Sequence, residues 1–202
     1  MQRTIALFVG CFFSLTVLAA PQTFDFKDPK GVNNIVFKLD APLESINGTA
    51  NGISGTVAFD PEKAELIKGR IVLATPSLHV GNPTMKEHLH SDKWMNVTKY
   101  PEITFDLESM KNAVTADHQT VADVTGTLTI KGVAKKVTVP VKFTYLKDKL
   151  QARFPQLKGD LLVLRSNFKI KRSDYGINSG TFEEKVSDEI DLSLSIAGQS
   201  PR

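Results

Sequence analysis

The sequence is poor in cysteine, and this scarcity limits how the protein can be held together. Cys11 is the only cysteine among 202 residues, and it lies inside the apolar run that opens the chain. One cysteine cannot form an intramolecular disulfide, and it cannot supply a cysteine-rich metal site. The fold must therefore depend on a hydrophobic core, which a chain of this length can bury.

The sequence also lacks a surplus of charge of either sign. Lysine and arginine number 25 against 22 acidic residues, which gives a formal net charge of +3, and the two signs are interspersed. A nucleic-acid-binding domain would show a basic patch or stripe. We therefore expect no nucleic-acid partner.

Long apolar runs are absent after residue 20. The chain opens with a short polar start that contains Arg3, continues with apolar residues from Ile5 to Leu18, and reaches Ala19-Ala20. This is the layout of a secretory signal peptide, and the run is too short to span a bilayer comfortably. We predict that residues 1–19 are removed on export to the periplasm.

Residues 20–202 are then predicted to form one domain with no transmembrane segment. Loss of Arg3 lowers the formal net charge from +3 to +2. A lipoprotein acylated at Cys11 is the weaker alternative, because only about six apolar residues precede that cysteine and an apolar stretch follows it.

Catalytic motifs are missing as well. Ser77 and Ser91 lie near histidines, but neither has the surroundings of a nucleophile elbow. Asp106 and Glu108 share the polar face of a predicted strand, where solvated carboxylates are ordinary, and no glycine loop suited to phosphate occurs. We expect a protein that is not an enzyme and that needs no cofactor.

Three histidines, His79, His88 and His90, lie close together in the sequence. His88 and His90 are two residues apart on a predicted helix, so their side chains point in different directions. Without cysteine partners the cluster is a poor zinc motif. We predict no metal site, although copper or zinc bound by His79 with one of the other two is left open.

What the sequence has in abundance is alternation of apolar and polar residues. Val137, Val139, Val141, Phe143 and Tyr145 alternate with polar or small residues, and similar segments recur along the chain. Half-buried antiparallel strands show this period. The predicted strands span 33–40, 46–59, 65–75, 102–110, 120–131, 134–147, 160–171 and 186–197, with a short one at 22–27.

Such a set of strands must close into a barrel or stack as two sheets. Gly55, Gly69 and Gly126 fall inside strand patterns and favour the barrel, since glycine lets a strand bend at a corner. The turns are predicted at Asn47-Gly48, Asn51-Gly52, Lys131-Gly132 and Gly159-Asp160. The fold class is therefore all-β.

One helix is well signalled, over residues 83–90. Asn82 suits the N-cap, Pro83 suits the first helical position, and Met85 and Leu89 lie four apart on one face. A second helical turn is predicted around 172–176.

Three motifs, taken in order, resemble those of the YceI-like family of exported lipid- or polyisoprenoid-binding proteins. The first runs from Glu87-His88-Leu89 through Trp94 and Tyr100-Pro101 to Ile103-Thr104-Phe105. The second is Gly126 to Val133, and the third is Arg172-Ser173-Asp174-Tyr175-Gly176-Ile177. The resemblance spans residues 24–197.

The chain departs from the family pattern near the first two motifs. Met85-Lys86 replace a usual Arg-Asp pair, Met95-Asn96 replace Phe-Asp, and Ala134 and Lys136 replace a common Thr and Pro. These changes leave the fold alone and limit the transfer of ligand identity.

The resemblance implies an extended eight-stranded antiparallel β-barrel, lipocalin-like, with one or two short helices. It also implies a long-chain amphiphile inside, such as a polyisoprenoid, a quinone or a fatty-acyl lipid. An eight-stranded barrel can be filled by its own side chains or can hold one small ligand. Residues on dry strand faces are the expected lining: Phe37, Leu39, Phe59, Leu73, Phe105, Val141, Phe143 and Phe168.

Trp94, Met95 and Tyr100 are predicted to cover one mouth of the barrel, because methionine adapts to irregular apolar shapes and the aromatic rings can keep a polar tip in water. Arg172 is the candidate for a head-group contact, with an ion pair to Asp174 or a neighbouring carboxylate as the alternative.

Two other functions are left open: a filled barrel that acts through its surface in stress or adhesion, and a metal or redox accessory protein. Unpaired strand edges at an imperfect closure could also mediate a homodimer.

Overall fold

The computed structural model describes residues 21–61, 63, 67–117 and 119–202. The predicted signal peptide, and Cys11 with it, lies outside these ranges. The strands are β1 (Gln22–Asp25), β2 (Asn34–Asp40), β3 (Ser45–Ala50), β4 (Ile53–Phe59), β5 (Ile67–Ala74), β6 (His79–Val80), β7 (Glu102–Ala116), β8 (Gln119–Ile130), β9 (Val133–Leu146), β10 (Gly159–Lys171) and β11 (Glu189–Pro201). The helices are α1 (Pro83–His90) and α2 (Leu150–Arg153), with single 3-10 turns at Thr75–Ser77 and Ser173–Tyr175.

The strands form a closed antiparallel barrel with eight positions. Three positions hold two consecutive strands in line: β1 with β2, β3 with β4, and β5 with β6. β2 pairs with β11 over five residues, and β1 completes the ring further along β11, where Asp25 pairs with Gln199. The predicted eight-stranded antiparallel barrel with short helices is therefore confirmed.

The strand predicted at 46–59 is divided in the structure. β3 and β4 are separated at Asn51-Gly52, which is a predicted turn, and each half pairs with a different neighbour. The turns predicted at Asn47-Gly48 and Gly159-Asp160 are wrong, because the first two residues lie inside β3 and pair with β2, and the other two begin β10 and pair with β11. β6 and α2 were not predicted, since neither segment is long enough to show a period.

β7 continues to Ala116, six residues beyond its predicted end. Its register with β8 shifts twice, between Leu107 and Ser109 and again between Lys111 and Val114. A bulge adds a residue to one strand and so breaks the alternation that a sequence pattern relies on.

Gly55 has a structural reason to be glycine. Its φ is +111°, and a Cβ there would lie 2.1 Å from the carbonyl oxygen of Arg70 on β5. β4 and β5 therefore approach more closely at this point than a side chain would allow.

α1 begins as predicted. The side chain of Asn82 accepts a hydrogen bond of 3.0 Å from the backbone N–H of Met85, and Pro83 occupies the first turn. Met85 and Leu89 pack against the core. The second predicted helical turn is the 3-10 turn at Ser173–Tyr175, which ends at Gly176 with a φ of +61°.

The connections divide between the two ends of the barrel. The mouth end carries residues 41–44, 75–101, 131–132 and 172–188, and the opposite end carries 60–61, 63, 117 and 147–158. Among the described residues, no helix is both long and apolar enough to cross a membrane. The predicted homodimer stays a prediction.

Candidate functional site

The barrel encloses a cavity of about 1280 Å³. Its wall is formed by the parts of the strands nearest the mouth end, by α1, and by the connections at the mouth end. Pockets for drug-sized ligands are commonly about 300–1000 Å³, so this volume is large enough for a long chain. The barrel is thus hollow toward its mouth end.

Polar and apolar side chains are segregated along the depth of the cavity. The polar residues that line it belong almost entirely to the mouth connections, and we call them the polar rim; they include Glu44, Asn82, His88, Lys93, Asn178 and Lys185. Below the rim the wall is apolar except for Ser166, whose hydroxyl donates a 2.6 Å hydrogen bond to the carbonyl of Pro140. We call this apolar part of the cavity the well, and it is therefore suited to hydrocarbon.

Most of the residues predicted to line the interior do so. The structure places ten of the twelve candidates on the cavity wall: Phe37, Leu39, Leu73, Trp94, Met95, Phe105, Val141, Phe143, Phe168 and Arg172. Phe59 and Tyr100 are absent from the wall.

Phe59 is separated from the cavity by the ring of Phe143. Its ring stacks on that of Phe143 with the centroids 5.3 Å apart and the planes 4° from parallel, and only Phe143 reaches the cavity. Both rings are buried. Alternation placed Phe59 on the correct face of its strand but could not give its depth.

Tyr100 packs against the hairpin between β8 and β9. A Cβ on Gly132 would lie 2.8 Å from the Tyr100 ring, so this glycine leaves room for the tyrosine. The carbonyl of Tyr100 accepts a 2.7 Å hydrogen bond from the hydroxyl of Thr75. Tyr100 thus anchors the segment that carries Trp94 and Met95, which do line the mouth.

Arg172 tethers the connection between β10 and β11. Its guanidinium is buried and donates to four backbone carbonyls, those of Ile177 (3.0 Å), Asn178 (2.7 Å), Val186 (2.8 Å) and Ser187 (2.7 Å). Burial lowers the pKa of Arg172, and the carboxylates of Asp188 and Glu183 act against it.

Of the predicted acidic partners of Arg172, Asp174 instead accepts from Lys135 at 2.9 Å, whereas the neighbouring carboxylates Asp188 and Glu183 act on the guanidinium through their charge. Most of the guanidinium donors are already engaged. A head-group contact from Arg172 stays a prediction.

Lys131 joins three of the mouth connections. From its hairpin, its ammonium donates to the carbonyls of Lys93 (3.0 Å) and Gly176 (3.2 Å). Burial lowers the pKa of Lys131, against the effects of Tyr100 and Asp92. The mouth is therefore held by side-chain bonds to backbone carbonyls.

A network around Asp160 closes the opposite end. The buried carboxylate accepts from Gln22 (2.9 Å), from the hydroxyl of Tyr145 (2.9 Å), from the backbone N–H of Asp148 (2.8 Å) and from Arg202. Burial acts to raise the pKa of Asp160, but these hydrogen bonds outweigh it and lower the pKa to about 2. Burial and the bond to Asp160 raise the pKa of Tyr145 to about 12.

The three histidines have different positions in the fold. His79 lies on β6, His88 lines the polar rim, and His90 has Nε2 2.8 Å from the carbonyl oxygen of Leu78. Within the described ranges, no three His, Cys, Asp or Glu side chains come together as a metal site requires.

Sequence reasoning missed two groups of lining residues. Aliphatic residues such as Leu164 and Leu192 line the well, and the same alternation that selected the aromatics marks them. The rim residues Lys93, Asn178 and Lys185 lie in connections without a period, so no local pattern could place them at the mouth.

Comparison with known proteins agrees with this geometry. The crystal structure of BcnA from Burkholderia cenocepacia matches with a TM-score of 0.66 at 24% identity, over 84% of this chain and 99% of that one. A polyisoprenoid binding domain from Saccharophagus degradans, implicated in plant cell wall breakdown, matches with a TM-score of 0.65 at 12% identity, over 90% of this chain and 99% of that one. At these identities the likeness shows the fold.

Sequence comparison goes further. Protein YceI of Shigella flexneri is 30% identical over 151 residues, which cover 75% of this chain and 72% of the relative. The family model described as a YceI-like domain matches residues 29–197. The resemblance noted in the three motifs is thereby confirmed, and the chain belongs to the YceI-like family.

Proposed function

We propose that the protein binds one long-chain amphiphile in the barrel and so sequesters or carries it. The observation that carries this proposal is the apolar well of about 1280 Å³ beneath a polar rim. Each methylene moved from water into such a well contributes about 0.8 kcal/mol before ordering costs, so hydrocarbon alone supplies affinity. A polyisoprenoid, a quinone and a fatty-acyl lipid all meet this description.

The segregation of side chains supports one orientation of the ligand. A polar head buried in the well would lose its hydrogen bonds to water, whereas at the rim it can meet Asn82, Asn178 and solvent. The tail then extends toward Phe143. Binding in this manner requires no catalytic group, and we propose that the protein is not an enzyme.

The test is to purify the protein from cells, extract it with organic solvent and identify the extract by mass spectrometry. Native mass spectrometry of the same sample gives the stoichiometry. We expect one long-chain amphiphile per chain. An empty extract, from protein that also fails to take up fatty acids or prenyl alcohols, would favour the filled barrel that acts through its surface.

Two matched substitutions separate the well from the outer surface. Val139→Phe places a ring in the well, whereas Val121→Phe places the same ring on β8 at a position that is 50% exposed. We expect the first variant to lose bound lipid and the second to retain it. Equal retention by both would contradict binding in the well.

We also propose that the protein is exported and works in the periplasm. The support is the signal-like layout of residues 1–19. N-terminal sequencing of the protein from a periplasmic fraction should give a chain that begins at Ala20. Recovery of the uncleaved chain in the cytoplasm would contradict export.

A further inference from the structure

The well ends partway down the barrel. On β9 the inward residues Val137, Val139, Val141 and Phe143 line the cavity, and the next inward residue, Tyr145, does not. Six residue steps at about 3.3 Å give a depth of roughly 20 Å along the strand, or about 15 Å along the barrel axis for a tilt near 40°. The strand itself continues to Leu146.

The same limit appears on the neighbouring strand. Phe143 pairs with Leu164, which lines the cavity, and Tyr145 pairs with Leu162, which is fully buried and does not. The boundary therefore falls between two adjacent inward layers of the barrel.

Below this boundary the described side chains pack against one another. Phe59 stacks on Phe143, and Phe24 meets Tyr145 edge-on with the ring centroids 6.3 Å apart. Phe24, Phe59 and Leu162 are almost completely inaccessible to solvent. Beneath them the Tyr145 hydroxyl enters the hydrogen-bond network of Asp160. A chain that reaches the Phe143 ring has nowhere further to extend.

We infer that the stacked pair Phe59–Phe143 is the floor of the binding well and fixes the longest chain that the protein accepts. This inference rests on the proposed function and adds a specificity-determining pair to it. A chain shorter than the well leaves wall uncovered, and a longer one must fold back or leave methylenes in water. Affinity therefore rises with chain length up to a cut-off set by the floor.

The experiment offers the delipidated protein an equimolar series of fatty acids of graded length, and separately a graded series of polyprenyl alcohols. The retained chains are quantified by mass spectrometry. Phe143→Ala deepens the well, and Phe143→Leu does so more gently if the alanine variant folds poorly. Both should move the cut-off to longer chains. Two additional buried methylenes correspond to about a tenfold gain in the ratio of longer to shorter chains retained.

Two further variants test the opposite change and the control. Val141→Phe raises a ring one layer above the floor and should move the cut-off to shorter chains. Val57→Ala removes buried volume from the packed interior outside the well, and it should leave the cut-off where it is.

The outcomes separate this inference from the proposed function. If the wild type shows a cut-off and the folded Phe143 variants keep it unchanged, the floor is overturned while lipid binding stands. An equal shift in Val57→Ala also overturns the floor, because general loosening would then explain the effect. If the wild type retains no chain of any length, both proposals fail.

Discussion

The guanidinium of Arg172 lies over the indole of Trp94, 5.5 Å from the ring centroid. This contact joins the connection between β10 and β11 to the segment that follows α1. A cation over an aromatic face contributes about 0.5–2 kcal/mol, depending on how far the pair is desolvated. Because Trp94 lines the cavity and Arg172 tethers residues 177–187, the pair couples the wall of the mouth to the connection 172–188.

Arg172→Met should destabilise the protein substantially. The substitution keeps an apolar stem but leaves four carbonyls of the tether without their donor, and we expect the free energy of unfolding to fall by about 3 kcal/mol. Urea denaturation measures the loss. Arg70→Met is the control, since Arg70 is 56% exposed and forms only a surface ion pair with Asp106 at 3.5 Å. That change should cost less than about 1 kcal/mol. Equal losses would contradict the tether.

Trp94 should report the orientation of a bound lipid. It is the only tryptophan in the chain, so its fluorescence is unambiguous. A fatty acid brominated beside its carboxylate should quench Trp94 more strongly than one brominated near its methyl end, because Trp94 lies at the mouth. In the double variant Trp94→Phe with Phe143→Trp, the reporter moves to the floor and the order of quenching should reverse. The same order in both proteins would contradict a head-out orientation.

Stability should fall in acid through Asp160. The folded pKa of this carboxyl is about 2, below its ordinary 3.8, so its ionised form favours the folded state. The contribution is fully present above pH 3.8 and is lost as the pH falls through about 2. It amounts to about 2 kcal/mol.

The measurement is the free energy of unfolding as a function of pH for the wild type and for Asp160→Asn. Other carboxylates titrate in both proteins, so the difference between the two curves isolates Asp160. The free energy of unfolding of the wild type should exceed that of Asp160→Asn by less and less as the pH falls from 3.8 to about 2. A constant difference would contradict the assignment.

Replacing Gly48 by a larger residue should destabilise the protein, because Phe37 occupies the adjacent space. A Cβ on Gly48 would lie 2.0 Å from the tip of the Phe37 ring and 2.6 Å from the carbonyl oxygen of His79. We expect Gly48→Ala to lower the free energy of unfolding by about 1–3 kcal/mol. Adding Phe37→Leu should recover part of the loss, since the backbone contact remains. A double-mutant cycle in urea measures the coupling, and strict additivity would rule out the ring contact.

The barrel could be predicted from the sequence because each strand shows a local alternation of apolar and polar residues. The inward residues of β9 and β10 are read directly from the period of two, and their register confirms it. The predictions failed at Asn47-Gly48, where glycine serves a close contact inside a strand, and in β7, where two bulges break the period.

Depth within the barrel was not predictable in the same way. Phe59 and Phe143 have the same local pattern, yet one lines the well and the other lies behind it. That distinction depends on how distant strands align, and on which layer each residue joins. A local period carries no information about this alignment. The polar rim is likewise assembled from connections that are remote in sequence.

The tether formed by Arg172 has a consequence for the conditions that the fold can tolerate. Exported proteins often fasten long connections with disulfides, which reductants can open. Here a single guanidinium holds the backbone at four points, and residues 20–202 contain no cysteine. The shape of the mouth is therefore independent of thiol chemistry, and it should be the same in reducing and oxidising surroundings.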